Sequence, residues 1–418
     1  MYPQTLGIDF GTSNTAAGLM VAGKPHLISV EPGQTTLPTS LFFDTTRKVT
    51  SYGSVANANL IEGREGRFMR ALKSVLGTPL MRERRQIAYE SLTLIQAVAR
   101  FLQTVRERAE AETGLKFQHA VSGRPVVFHT TDKTRNAQAE KDLAEAYQLA
   151  GFETVAFMHE PEAAALAAGV LDTGTLGLIV DIGGGTSDFS VFAPEGEGIR
   201  ILASHGVRVG GTDFDKAISL AHVMPLLGRG GRVRNDMGSG SYIVPNALFQ
   251  DLASWEKIPF LYTPETKRMA ALFHKMALGP ELLKRLSDTL DLELGHDIAF
   301  AVERGKIQIN KPDVFEAGID LRVLEKDLWA QLNENGLRDV LADHAAKIAE
   351  CVEATLKMAD VPAQKIGTVV FVGGSSLLHV VRETLRGLLP QAQFEQAAAF
   401  TAVANGLAMA AEKADAAR

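Results

Sequence analysis

Cysteine is almost missing from this chain: Cys351 is the only one in 418 residues. That excludes both a disulfide framework and a cysteine-based zinc site within one chain. A charge excess is missing too. The 43 lysines and arginines against 49 aspartates and glutamates leave a net charge of −6, and no basic tract offers nucleic acid an electrostatic footprint. No apolar run is long enough to span a bilayer. The N-terminus lacks the basic region and apolar core of a secretory leader. The expectation is a cytoplasmic chain with no membrane or nucleic-acid partner. What remains is ordinary for a globular protein, 46% hydrophobic and 22% charged, in a length that suggests two lobes or more.

Two stretches stand out against that background. "LIVDIGGGTSDFSV", Leu178 to Val191, is an apolar strand that reaches an aspartate, passes three glycines and resumes as a strand. "LGIDFGTSNTAAGLM", Leu6 to Met20, is a shorter copy. A glycine turn leaves backbone N–H groups open to a ligand because no Cβ blocks the approach. Such donors suit phosphate oxygens, and Thr12, Ser13 and Thr186 add hydroxyls at the same tips. If Asp9 and Asp181 face one another, two carboxylates fit Mg²⁺, which keeps waters and bridges to phosphates. Either turn alone reads as an ordinary hairpin; the duplication makes a phosphate clamp.

Elsewhere the pattern predicts strands at His26–Val30 and Leu41–Asp44, and charged helical structure between Asn57 and Gly114, with a long amphipathic helix over Glu90–Glu112. "HAVSGRPVVF" reads as strand, Lys133–Ala150 as a helix closed by Gly151, and "EPEAAALAAGVL" as a small-residue helix. "DTGT", Asp172 to Thr175, reads as a turn at a lobe boundary. Gly228–Gly240 reads as a solvated loop, Leu248–Lys306 as mainly helical, Ile366–Val372 as a buried strand and Thr401–Lys413 as a helix.

With these motifs in place, "GIDFGTSNT", "VDIGGGTSDFS" and "VFVGGSS" resemble the two phosphate motifs and the adenosine motif of the actin-like ATPase superfamily. "HEPEAAALAAG" and "VGGTDFD" resemble its heat-shock protein 70 (DnaK-type) chaperones, and the motifs run in the family's order from Leu6 to Gly406. The resemblance implies an α/β, two-lobed actin-like ATPase (duplicated ribonuclease-H-like) fold with four subdomains. Lobe I would take 1–172, with a helical insert at about 45–118. Lobe II would take 173–399, with one at about 215–310, and 400–418 would form a helix packing back on lobe I.

The same resemblance implies ATP or ADP with Mg²⁺ as cofactors and assigns roles. Asp9 and Asp181 would organise the metal through its waters. Gly11, Thr12, Ser13 and Gly183, Gly184, Gly185 and Thr186 would form the phosphate loops. Lys73 would reach the γ-phosphate, Glu160 would stand near metal and nucleophile, and Asp188 would position water, with Thr186 beside it. Gly210 and Gly211 would let backbone approach the nucleotide. Glu303, Lys306, Gly373, Gly374 and Ser375 would hold adenosine, and Pro125 would relay nucleotide state. Taken alone, Lys73 reads as a surface lysine, Glu160 as a residue at a helix start, and Glu303 with Lys306 as an i,i+3 surface ion pair.

The sequence also departs from the family pattern. Ile307 and Leu377 stand where two arginines usually sandwich the adenine, and a guanidinium on an aromatic face contributes about 0.5–2 kcal/mol. Phe400 stands where the family usually has an acid. The family's chaperones continue into a peptide-binding domain, so a chain stopping at Arg418 is expected to resemble the short bacterial members without one. The leading expectation is an ATP-binding, slowly hydrolysing chaperone-like switch read by a protein partner or co-chaperone. Alternatives are a pseudo-ATPase adaptor, a small-molecule kinase and a filament-forming protein.

Overall fold

The computed structural model describes residues 3–128, 132–168, 175–195, 198–235, 239–255, 257–311, 313–395 and 401–417. Asp172, Thr173 and Gly174 of the expected boundary turn lie outside the described residues, as does Phe400. The chain divides into two compact units. One comprises Met1–Arg208, Ile348–Leu377 and Val381–Arg418; the other comprises Val209–Lys347 and Leu378–Val380.

The first unit is built on two sheets that repeat one plan. In the first, strand Thr5–Phe10 turns back into Asn14–Val21 as an antiparallel pair, and its other edge takes His119–Arg124 and then Thr154–His159 in parallel. In the second, Leu176–Ile182 turns back into Ser187–Glu195, and its other edge takes Ile366–Val372 in parallel. Strands with neighbours on both edges and cover on both faces read as near-continuous apolar runs. Leu178, Ile179, Val180, Val369, Val370 and Phe371 are accordingly all fully buried. The repeat therefore puts a glycine turn at corresponding points of two sheets.

Among the described residues, two apolar clusters pack on these sheets. Leu6, Ile8 and Phe10 pack against Val98, Phe101, Leu102 and Val105 of helix Leu94–Thr113. That helix starts on a reciprocal Thr93/Gln96 capping box and stops at Gly114 with φ 70°, both ends being satisfied locally. The second core joins Ile179, Val370 and Val121 to Ala163, Ala164 and Leu407. The last two come from helices Glu160–Ala168 and Ala402–Ala416, which contact one another closely.

Glycines make that contact possible. A Cβ on Gly406 would lie 1.8 Å from the Ala163 carbonyl oxygen, and one on Gly7 would lie 2.6 Å from the backbone of Leu407 and Ala408. The Asp415 carboxylate then accepts from the Gln4 and Thr5 backbone N–H groups at 3.0 and 3.2 Å, tying the closing helix to the first strand.

Two expectations need correction. Residues 57–92 are not mainly helical: Gly66–Arg70 is a strand on the edge of Ser40–Asp44, and Arg85–Ile87 pairs with Glu90–Leu92. Gly228–Gly240 is not simply a loop, because Arg232–Arg234 pairs with Ser241–Ile243. Both belong to short strands whose partners, rather than their own composition, decide the conformation.

The second unit is mainly helical, with Gly211–Ile218, Pro264–Met276, Pro280–Asp291 and Gly295–Ile309 as its longer helices before residue 310. Pro264 and Pro280 stand at the first helical positions, where a missing N–H costs nothing. A two-stranded sheet, Glu316–Asp320 with Trp329–Asn333, packs on the last of these helices.

Candidate functional site

The phosphate-motif residues all fall in the first unit, and its two glycine turns meet. A Cβ on Gly184 would stand 2.3 Å from Ser13 Oγ, so the second tip sits against the first. Gly11 is required by its own turn, since a Cβ there would lie 2.2 Å from the Asn14 carbonyl oxygen. In the other turn the Gly183 N–H donates to the Thr186 carbonyl at 3.0 Å, while Gly185 has open space where a side chain would be. Asp181 and Asp188 face each other in register at the mouth of that hairpin. Gly373, with φ 75°, turns directly beside them: a Cβ there would be 2.9 Å from Asp181 Oδ1. Gly374 and Ser375 follow in a short 3₁₀ turn.

Lys73 is not a surface lysine. It lies in a single 3₁₀ turn, Leu72–Val75, entered through Ala71 at φ 58°, and it is 8% exposed. Its Nζ donates to Glu160 Oε1 at 2.5 Å. Glu160 opens the helix that follows strand Thr154–His159, so the carboxylate of a helix start serves also as the lysine's partner. Strand His119–Arg124 makes room for it: a Cβ on Gly123 would lie 3.2 Å from Glu160 Cγ.

Electrostatics bind these groups into one cluster. Burial, and then the charge of Glu160, push the Asp9 carboxyl up to about 7 against an opposing pull from Lys73. Burial and Glu160 likewise push Asp188 up to about 7, although a hydrogen bond from the Thr186 side chain opposes the rise. Asp181 is raised well above the ordinary range by burial and by Glu160, Asp188 and Asp9. Burial alone would lower the Lys73 ammonium, but Glu160, Asp9 and Asp181 hold it above its usual value. The Lys73 ammonium therefore stands among four carboxylates, and burial and crowding disfavour the ionisation of three of them, Asp9, Asp181 and Asp188.

This crowding carries a pH prediction for the ligand-free protein. Asp9 and Asp188 move from an ordinary 3.8 to about 7 on folding. The folded state therefore binds protons that the unfolded state has lost. Their contribution to stability is complete below about pH 4 and disappears as pH rises through about 7, each unit of difference being worth about 1.4 kcal/mol. Thermal unfolding midpoints should fall between pH 5.5 and 8, and Asp188→Asn should flatten the slope. A midpoint independent of pH in both proteins would contradict the burial of these carboxyls.

The acid set suits a hydrated hard cation better than an enclosed one. Among the described residues, no three His, Cys, Asp or Glu side chains form a group able to hold a metal ion directly. Carboxylate oxygens with raised affinity for protons, placed beside open glycine backbone, match the way Mg²⁺ is held by one or two acids and its own waters.

The residues expected at adenosine divide between the units. In the second unit Lys306 is buried, donates to the Gly211 carbonyl at 3.3 Å, and pairs with Asp215 Oδ1 at 2.8 Å. The surface-pair reading of Lys306 is thereby corrected. The Gly210 N–H donates to Asp213 Oδ2 at 3.0 Å at the start of helix Gly211–Ile218. Glu303 is partly buried on Gly295–Ile309, one turn before Ile307, which is 55% exposed. The side chain of Leu377 lies outside what is described.

Sequence reasoning missed Asp215, because nothing in "TDFD" says which aspartate faces inward. It also missed Arg124, half-buried at the end of its strand, which contacts Glu140 and sits with its guanidinium 6.0 Å from the centre of the Phe128 ring. Pro125 follows it, and its carbonyl accepts from Arg124 Nε at 3.3 Å.

Paired hairpin-bearing sheets, each presenting an acid beside a glycine turn, define the actin-like ATPase class, and this mixed α/β chain has that fold. The family described as Hsp70 protein matches residues 5–226 and 291–415. The chain belongs to the Hsp70 family. Over 221 residues, 51% of the chain, it is 34% identical to a protein named Chaperone protein DnaK from Thermoplasma acidophilum. That stretch is 34% of the relative's length, so the chain spans about a third of the curated relative it matches. Among the described residues, no helix is long and apolar enough to cross a membrane.

Proposed function

We propose that the protein is an ATP-binding, slowly hydrolysing nucleotide switch of the chaperone kind, its output read by a protein partner or co-chaperone. The burial of Lys73 against Glu160, in the same cluster as Asp9 and Asp181, is the observation that carries this reading. Glycine backbone at Gly11 and Gly183–Gly185, with the hydroxyls of Thr12, Ser13 and Thr186, would receive the phosphates. Asp9 and Asp181 would hold Mg²⁺ through its waters, and the ion would supply charge neutralisation at the phosphates.

Hydrolysis on this reading is attack of water on the γ-phosphorus, with ADP leaving, and it rests on position and charge rather than on covalent chemistry. Lys73 stays protonated across the physiological range and offers a compact charge to the oxygens of the transferring group. Asp188, near 7, can accept the proton of the attacking water without being permanently ionised. Within the first unit, Gly373 to Ser375, beside Asp181, would receive the nucleoside.

The exposed aliphatic Ile307 favours a second reading, an adaptor that binds nucleotide weakly and does not turn it over. Calorimetry with ATP, ADP and GTP, each with and without Mg²⁺, separates the two when followed by single-turnover hydrolysis. Heat from MgATP and MgADP, weaker heat without the metal, and slow ADP formation are expected. Binding without ADP formation selects the adaptor, and no heat from any nucleotide rejects both.

A further inference from the structure

Lys73 can serve the proposed reaction only if its turn is held still, and the residues that hold it lie outside every motif discussed above. Two apolar side chains, Leu72 and Leu76, are buried at 4% and 0% exposure and set the depth of the turn. Apolar contacts are not directional, however, and a single 3₁₀ turn has few hydrogen bonds of its own. The directional anchor comes from Asp142, on helix Lys133–Leu149, whose side chain is completely buried.

The Asp142 carboxylate accepts from three donors. The Gly77 N–H reaches Oδ2 at 2.9 Å, just past the lysine's turn. Arg82 Nη2 and Gln138 Nε2 each reach Oδ1 at 2.8 Å. Arg82 Nη2 also reaches Glu145 Oε2 at 2.8 Å, one turn further along the same helix. Gly77 has φ 78°, and a Cβ there would lie 2.2 Å from the Arg135 carbonyl oxygen. The segment after Lys73 is thus pressed directly onto the helix backbone. A buried carboxylate with a cation and a backbone donor is a charge-assisted, geometrically demanding contact, and losing one partner leaves the rest unsatisfied in low dielectric.

We propose that Asp142, with Arg82, is a positioning residue for Lys73: it fixes the register of the turn and thereby the aim of the ammonium at Glu160 and at an incoming phosphate. This rests on the proposed ATPase reading for its effect on turnover, but not for its effect on the lysine itself. Asp142→Asn keeps the size and weakens the clamp. It should lower single-turnover ATP hydrolysis by about ten- to a hundredfold, the scale of a small misplacement at a reacting centre, while leaving the affinity for MgADP near that of the parent.

The ¹⁵N-detected ammonium signal of Lys73, followed in nucleotide-free protein, should shift or broaden in the same variant. Arg82 is 51% exposed, so Arg82→Gln tests the clamp should Asp142→Asn fail to fold. It should move the signal and slow turnover in the same direction, and Arg82→Lys should restore part of both. An ammonium signal unchanged in both Asp142→Asn and Arg82→Gln overturns the proposal. A parent chain that neither binds nor hydrolyses ATP defeats the ATPase reading instead, and the signal still decides the clamp.

Discussion

Replacing Lys73 by alanine is expected to slow single-turnover ATP hydrolysis by about 10²–10³-fold, the loss seen when one preorganised charge is taken from a transition state. The ammonium is buried, held above its ordinary pKa, and 2.5 Å from Glu160 Oε1, so no solvent cation can reproduce its placement. Nucleotide affinity should change far less, because the glycine turns and their hydroxyls do not depend on the lysine. Lys73→Arg should recover little: the guanidinium is larger and planar, and it cannot take the same seat in a turn enclosed by Leu72 and Leu76. Lys73→Ala also removes the ammonium that interacts with Asp9, Asp181, Asp188 and Glu160. Far-ultraviolet circular dichroism and a denaturation curve must therefore accompany the kinetics. Hydrolysis equal to the parent's in a folded Lys73→Ala protein would remove the lysine from the reaction.

The largest stability effect is expected at Gly406. A methyl there would stand 1.8 Å from the Ala163 carbonyl oxygen and 2.4 Å from its carbon, a collision with backbone that no rotamer can relieve. Helices Ala402–Ala416 and Glu160–Ala168 would have to separate, opening the core that joins Ala163, Leu407 and Ile179. Overpacking of this kind costs about 1–3 kcal/mol where side chains can yield, and Gly406→Ala should reach or exceed the upper end. The urea midpoint reads the effect. Because the second helix begins at Glu160, the folded fraction should also hydrolyse ATP more slowly. An unchanged midpoint would mean that the two helices are not in the contact described.

The sequence makes the centre of this fold legible for a local reason. An aspartate, an apolar residue and a glycine turn between two apolar strands constrain one another within a dozen positions, and the structure brings Gly184 against Ser13 as the duplication implied. Helix Leu94–Thr113 was legible in its heptad-like stripe and in Gly114. Residues 57–92 were not, because arginine-rich and glutamate-rich stretches suit helix surfaces and sheet edges alike. Gly66–Arg70 is a strand only because the wholly buried Ser40–Asp44 offers it an edge. The environment of Lys73 was hidden for the same reason: its partner lies 87 residues away, and its clamp, Asp142, 65 residues beyond Gly77. Lys306 follows suit, meeting an aspartate of helix Gly211–Ile218, 91 residues earlier in the chain.

The Lys73–Glu160 contact has a bearing on selectivity. With the Lys73 ammonium already committed to a carboxylate, and three further acids alongside, little of its positive field is left over to attract stray anions. On the proposed reading, sulfate or bare polyphosphate would gain little there, and least as rising pH ionises Asp9 and Asp188. A guest that arrives escorted by its own divalent counterion would, on the same reading, bring its own positive charge to these acids, so the charge of the complex would weigh on its admission before any contact with the base is made.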